Sequence, residues 1–168
     1  MSTYRFYPMT KEMAARITSW KYEEPYSLYN MDENEDGISE LMNGDYYYVA
    51  DWQDRLVGFL CSGDSARVPG GYAANLYNNG ALDIGFGLRP DLTGRGKGQN
   101  FLTQSISFLQ RQFKTQNFQL VVAEFNERAV KVYERTGFVK GSSFKSKVNE
   151  REVGFQAMNY SVQGGSVG

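Results

Sequence analysis

The residues best equipped for chemistry lie in one run, Leu82-Asp-Ile-Gly-Phe-Gly-Leu-Arg-Pro-Asp-Leu-Thr-Gly-Arg-Gly-Lys-Gly-Gln-Asn-Phe-Leu102. In it Gly94, Gly96 and Gly98 alternate with Arg95 and Lys97, shortly after Pro90. The pattern reads as a strand before the proline. After the glycines, Phe101, Leu102, Ile106, Phe108, Leu109 and Phe113 recur at helical spacing. Glycines at a strand-to-helix junction let backbone N–H groups turn toward a bound anion, and the helix N-terminus and two cationic side chains add positive charge. The chemistry implied is a pyrophosphate cradle. Two common phosphate motifs do not fit. A Walker A loop needs a glycine where Asp91 stands and Ser or Thr where Gly98 stands, and the dinucleotide fingerprint needs glycine at Gln99 or Phe101. The plain alternative is a glycine-rich connection with its basic residues in solvent.

A second run, Asn126-Glu-Arg-Ala-Val-Lys-Val-Tyr-Glu-Arg-Thr-Gly-Phe138, reads as a helix with both ends marked. Asn126 is a good cap, and Ala129 and Tyr133 lie one turn apart on one face. Gly137 stops the helix and Phe138 re-enters the core. An ordinary capped helix with a buried tyrosine would explain the same residues.

Composition narrows the chemistry further. The chain has no histidine, which excludes Ser-His-Asp and Cys-His machinery, His-ligated zinc and a histidine base. Carboxylates, tyrosine, lysine, the lone thiol of Cys61 or relayed water must move any proton. One cysteine allows no internal disulfide and fits a reducing, cytoplasmic setting. A net charge of −1 without a basic block argues against nucleic acid, and no apolar run approaches a membrane span. Asp32-Glu-Asn-Glu-Asp-Gly37 imitates half of a calcium loop, but its twelfth position is Asn43 rather than a bidentate Glu. An acidic, solvated loop is expected there, and no metal.

These residues need elements to hold them. Residues 4–8 read as a first strand, and Thr10 caps a helix running through Ile17 and Trp20. Trp20, Tyr22, Tyr26 and Tyr29 then cluster around Pro25, either as corner packing or as a pocket lined with amphipathic rings. A short helix over Ile38–Met42 is followed by a hairpin of 46–50 and 56–61. Residues 62–80 read as a long loop before the central strand 82–88. A buried strand at 118–123, the capped helix and two final strands complete the order, with 163–168 as a flexible tail. The expected fold is a single mixed α/β domain over 1–162.

The two runs together resemble the GNAT N-acetyltransferases. Thr93, Gly96 and Gly98 fill the family's acetyl-CoA frame of Gln or Arg, two residues, Gly, one residue, Gly or Ala, with Thr in its first place. A frame starting at Arg95 keeps the Arg but loses the final small residue. Asn126, Ala129, Tyr133 and Gly137-Phe138 match the second signature position by position. The resemblance implies the GNAT fold: a central, mostly antiparallel mixed sheet with a splayed parallel strand pair and flanking helices. It implies acetyl transfer from acetyl-CoA to a primary amine, of a small molecule or a protein N-terminus, without metal.

By the same resemblance, pantetheine would lie between strands 82–88 and 118–123. Gly85 and Gly87 would allow close approach there, and Phe86 and Leu88 would offer pairing groups. Thr93, Gly94, Arg95, Gly96, Lys97, Gly98 and Gln99 would bind the diphosphate, Asn126 would touch the pantetheine arm, and Tyr133 would protonate the leaving sulfur. Asp83 is the first candidate for the base and Glu124 the second, with a water relay as the third route. Trp20, Tyr22, Tyr26 and Tyr29 would line the acceptor site, and Asp32, Glu33, Glu35 and Asp36 would favour a cationic acceptor. A homodimer is admitted. A non-catalytic acyl-CoA sensor is the alternative, and it would not need Tyr133.

Overall fold

Residues 3–161 are described by the computed structural model, so the tail expected at 163–168 lies outside them. Strands β1 (Arg5–Pro8), β2 (Tyr46–Ala50), β3 (Leu56–Ser62), β4 (Leu82–Leu88), β5 (Asn117–Ala123), β6 (Val139–Val148) and β7 (Arg151–Ser161) form one sheet. The order is β1-β2-β3-β4-β5-β7-β6, and every neighbouring pair is antiparallel except β4 with β5. That exception makes the site. β4 and β5 align only at Leu82 with Phe118 and Asp83 with Gln119. Beyond Asp83, β4 stays paired with β3 as far as Leu88, while β5 stays paired with β7 as far as Ala123. Each strand follows its outer partner, and a wedge opens between them.

Helices α1 (Lys11–Thr18), α2 (Glu35–Leu41), α3 (Pro69–Ala73), α4 (Gly98–Phe113) and α5 (Glu127–Thr136) flank the sheet. The apolar stripe of α4 supplies Phe101, Leu102, Ile106 and Leu109 to a buried cluster with Leu60, Ile84, Phe118, Leu120 and Val122. A second cluster joins Ala14 and Ile17 of α1 and Leu41 of α2 to Tyr46, Leu56 and Cys61. Leu60 and Cys61, adjacent in β3, belong to different clusters, as expected where successive strand residues face opposite sides. Burial pushes the Cys61 thiol up to about 12, with the charges of Asp45 and Glu40 adding to it, which keeps this sulfur protonated at neutral pH. Among the described residues no helix is long and apolar enough to cross a membrane.

Three segments differ from the sequence expectation. α1 ends at Thr18 rather than reaching Trp20, because the Ser19 hydroxyl donates to the Arg16 carbonyl (2.6 Å) and that of Thr18 to Ala15 (3.0 Å). The second half of the acidic run, from Glu35, is the start of α2, while Asp32 and Glu33 precede it as exposed residues. Asn34 Oδ1 accepts from the N–H groups of Asp36 (3.0 Å) and Gly37 (3.1 Å), and Glu35 and Asp36 occupy the first turn, where the helix dipole favours negative charge. Residues 62–80 hold a 3₁₀ turn at Gly63–Ala66 and then α3. That stretch is anchored rather than loose: the Gly70 N–H donates to Ser146 Oγ in β6 (2.8 Å), and the Arg67 guanidinium lies 4.8 Å from the Tyr77 ring centroid.

Candidate active site in the wedge between β4 and β5

The wedge opens into a cavity of about 510 Å³ bounded by Ile84–Leu88 on one arm and Leu120–Val122 on the other. Past Asp83 the backbone edge of β4 that faces β5 has no partner strand. An extended ligand can therefore pair with it as an added strand would. Gly85 and Gly87 owe their identity to the neighbouring strand rather than to a ligand. A Cβ at Gly87 would collide with the Phe59 ring, and one at Gly85 would lie 3.0 Å from Cys61 Sγ. Of the pairing groups expected here, the Leu88 carbonyl already accepts from Tyr22 Oη at 2.7 Å, while the Phe86 ring lies on the cavity wall.

The wide end of the wedge meets the glycine loop. Gly94 and Gly96 have φ of 73° and 74°, a left-handed conformation that glycine adopts without strain. Thr93 steadies the entry, its hydroxyl donating to the Pro90 carbonyl at 2.7 Å. Among the described residues, no N–H from Gly94 to Gln99 donates to another group of the chain, and α4 begins at Gly98 with no side-chain cap. The N-terminal N–H groups of α4 are thus left for an anion. Thr93, Gly94, Gly96, Gly98 and Gln99 line the cavity. Arg95 and Lys97 do not: both are exposed and fall outside the lining.

The cations at the cavity come instead from α5. Arg128, Lys131 and Arg135 line it, and their spacing puts them along one helical face. Sequence reasoning missed them, although that spacing was the available signal. Arg128 spans the mouth, its guanidinium 4.8 Å from the Tyr26 ring centroid and its Nη1 2.9 Å from where a Gly94 Cβ would sit. A Cβ at Gly98 would meet Val132 at 3.4 Å, an ordinary contact, and at Gly96 nothing lies within 4 Å. Unused N–H donors and three basic side chains at the cavity fit the diphosphate of acetyl-CoA.

The segment around Pro25 forms a roof that touches both arms. Tyr22 is tied to Leu88 of β4, as above. Tyr29 Oη accepts from Asn126 Nδ2 (3.3 Å), and Tyr26 packs on Phe125 with ring centroids 5.9 Å apart. All three tyrosines line the cavity. Trp20 does not. It lies against Phe59 with centroids 6.2 Å apart, among residues packed on the second core cluster.

Asn126 has two tasks, since its Oδ1 also accepts from the Ala129 N–H (3.2 Å) and so caps α5. One turn further along, Tyr133 faces the cavity between Phe86 and Phe138, with ring centroids at 6.4 Å and 5.7 Å. Its hydroxyl has no hydrogen-bond partner among the described residues. Burial, with the nearby Tyr29 adding to it, raises its pKa above the ordinary tyrosine value, so it holds its proton at neutral pH.

Neither carboxylate expected as a base reaches the cavity. Asp83 sits at the vertex, where the strands still pair, and is 3% exposed. Both of its oxygens are engaged: Arg67 Nε donates to Oδ2 and Gln119 Nε2 to Oδ1, each at 2.8 Å. Gln119 also accepts from Asn79 (2.9 Å) and Asn159 (3.2 Å), so this carboxylate belongs to a network that closes the wedge. Glu124 is exposed at the end of β5 and leans over Gly154 of β7, where a Cβ would collide with its carboxylate. Asp83→Ala should therefore cost stability, roughly 3–5 kcal/mol for breaking a buried pair, measured by denaturant unfolding. Asp83→Asn, which keeps an acceptor for Arg67, should retain the wild-type pH–rate profile. A folded Asp83→Asn protein without turnover would return Asp83 to the role of base.

The comparisons agree with this geometry. The family model described as Acetyltransferase (GNAT) family matches residues 11–138. A search of curated proteins found no significant match. Among solved structures, a chimera of the spermidine N-acetyltransferase SpeG from Vibrio cholerae and hSSAT superposes with a TM-score of 0.73 at 18% identity, covering 98% of each chain. The Vibrio cholerae spermidine N-acetyltransferase in complex with CoA and spermine gives 0.67 at 19% identity, over 94% of this chain and 95% of that one. A GNAT family acetyltransferase from Bacillus anthracis gives 0.71 at 13% identity, over 94% of both. At these identities the structures attest the fold.

Proposed function

The chain belongs to the GNAT acetyltransferase family, and from that premise we propose that it moves an acetyl group from acetyl-CoA to a primary amine, with donor and acceptor bound together. The observation that carries this reading is the wedge: two strands that pair at two positions only and then part around a cavity ending in a glycine cradle. The complex of the Vibrio cholerae protein with CoA and spermine supports a small amine as the acceptor. Acetyl-CoA supplies the activated acetyl group and departs as the thiol.

The residues of the chain do the rest. The unused N–H groups of 94–99 and the basic face of α5 hold the diphosphate, and the free edge of β4 orients the pantetheine arm. Phe59, Phe86 and Tyr22 wall out water. Tyr133 holds a proton at its Oη for the departing sulfur. No carboxylate is among the residues lining the cavity, so the proton of the amine leaves through water and the amine must arrive neutral. A sensor that only binds acyl-CoA would keep the cradle, but an unpartnered phenol facing the cavity favours catalysis.

Calorimetry with acetyl-CoA in the absence of metal, followed by thiol release across a panel of amines, tests the reading. No heat of binding, or no thiol release with any amine, would count against it. The pH dependence is a sharper check. Amines have pKa values of about 10, so kcat/KM should climb through the neutral range as neutral acceptor accumulates. Because the pKa of Tyr133 is raised, its proton is retained across that range, and no descending limb is expected below about pH 10. A decline in kcat between neutrality and that limit would show that the acid titrates earlier and is another group.

A further inference from the structure

We propose that the acceptor is a monoamine carried on an apolar or aromatic body, not a polyamine; this rests on the acetyltransferase reading above and names the substrate class of the same site. Among the described residues, the charged side chains lining the cavity are Arg128, Lys131 and Arg135, with no Asp or Glu beside them. A polyamine brings at least one further ammonium besides the reacting nitrogen. Taking that charge out of water requires a carboxylate to meet it, and none is there. Once the phosphates of the donor occupy the three cations, the acceptor end is left without charge of either sign.

The roof has the opposite character. Tyr22, Tyr26 and Tyr29 come down on the cavity beside Phe59. Two of their hydroxyls are already engaged, Tyr22 with the Leu88 carbonyl and Tyr29 with Asn126. What remains for a ligand is the Tyr26 hydroxyl and a larger area of ring surface, which binds apolar and aromatic groups by burial and offset stacking. The acidic run that would draw in a polycation lies outside the cavity lining: Glu33 pairs with Lys21 at 3.4 Å, and Glu35 and Asp36 stand exposed in the first turn of α2. The carboxylate next to the roof, Glu24, accepts from Ser27 Oγ at 2.6 Å and lies outside the lining.

The test pairs 2-phenylethylamine with spermidine at saturating acetyl-CoA, read by thiol release, with acetyl-CoA binding measured separately by calorimetry. The expected result is a kcat/KM at least about tenfold higher for 2-phenylethylamine, the scale on which one apolar contact discriminates substrates. Tyr26→Leu keeps apolar volume and removes the ring. It should raise the KM for 2-phenylethylamine by about tenfold at nearly unchanged kcat. Equal or better turnover of spermidine overturns the proposal, as does acetyl-CoA binding with neither amine accepted, and in both cases the donor site stands. Failure to bind acetyl-CoA overturns the acetyltransferase reading together with this one.

Discussion

Gly98→Asp is expected to weaken acetyl-CoA binding by at least about 100-fold while leaving the fold as stable as the wild type. The two halves of that expectation come from one geometry. Gly98 is the first residue of α4, it has no positive φ, and a Cβ there would meet Val132 at 3.4 Å, an ordinary contact. A carboxylate at that place favours the helix, because the first turn carries partial positive charge. The same carboxylate would stand where the cradle N–H groups point and would repel a diphosphate. At about 4 Å and an effective dielectric near 20, one pair of unit charges is worth roughly 4 kcal/mol, about a thousandfold in affinity before screening. Gly96→Asp makes a less clean probe, since at φ 74° it adds backbone strain to the charge. Calorimetry reads the affinity and thermal unfolding reads the fold. Unchanged affinity in a folded Gly98→Asp protein would remove the diphosphate from the loop.

What the sequence disclosed and what it withheld divide along physical lines. Local signals were legible: the glycine alternation at 94–98, the cap at Asn126, the stop at Gly137, and the long apolar stripe of α4. Each depends on residues within a few positions of one another. Asp83 could not be read in this way, because the partners that claim its carboxylate, Arg67 and Gln119, are 16 and 36 residues away. A carboxylate at the start of a splayed strand looks like a base until those partners are found. Glu124 depends on a distant residue too, since its carboxylate lies over Gly154 on β7, where a Cβ would collide with it.

The side chains of Arg95 and Lys97 lie outside the cavity lining. Gly94 and Gly96, both left-handed, line the cavity, and the intervening side chains are exposed. The charge that complements an anion comes from α5, a separate element, and only the three-dimensional fold brings its basic face to the loop. At 32–37 the signal was present but outweighed. Asn34 followed by Glu35 and Asp36 is a cap with two acidic residues in the first turn, a helix start that the likeness to a calcium loop obscures.

Tyr133→Phe should lower turnover by about 10²–10⁴-fold, the usual contribution of a positioned proton donor, with acetyl-CoA affinity nearly intact. The case begins with α5. Asn126 fixes where the helix starts, and Tyr133 follows about two turns on, on the face that meets the wedge. The ring is held between Phe86 and Phe138, contacts that phenylalanine would preserve. The hydroxyl makes no hydrogen bond among the described residues, so removing it breaks none. Thermal stability should therefore stay level, and any loss of rate belongs to the missing proton. The raised pKa keeps the phenol protonated through neutral pH, so its O–H is in place to hydrogen-bond the departing sulfur as the carbon–sulfur bond breaks. The loss should appear in kcat, with KM for both substrates little changed, since the phenol is needed only as the carbon–sulfur bond breaks. A Tyr133→Phe protein that turns over at the wild-type rate would make the ring a packing residue and leave water to protonate the sulfur.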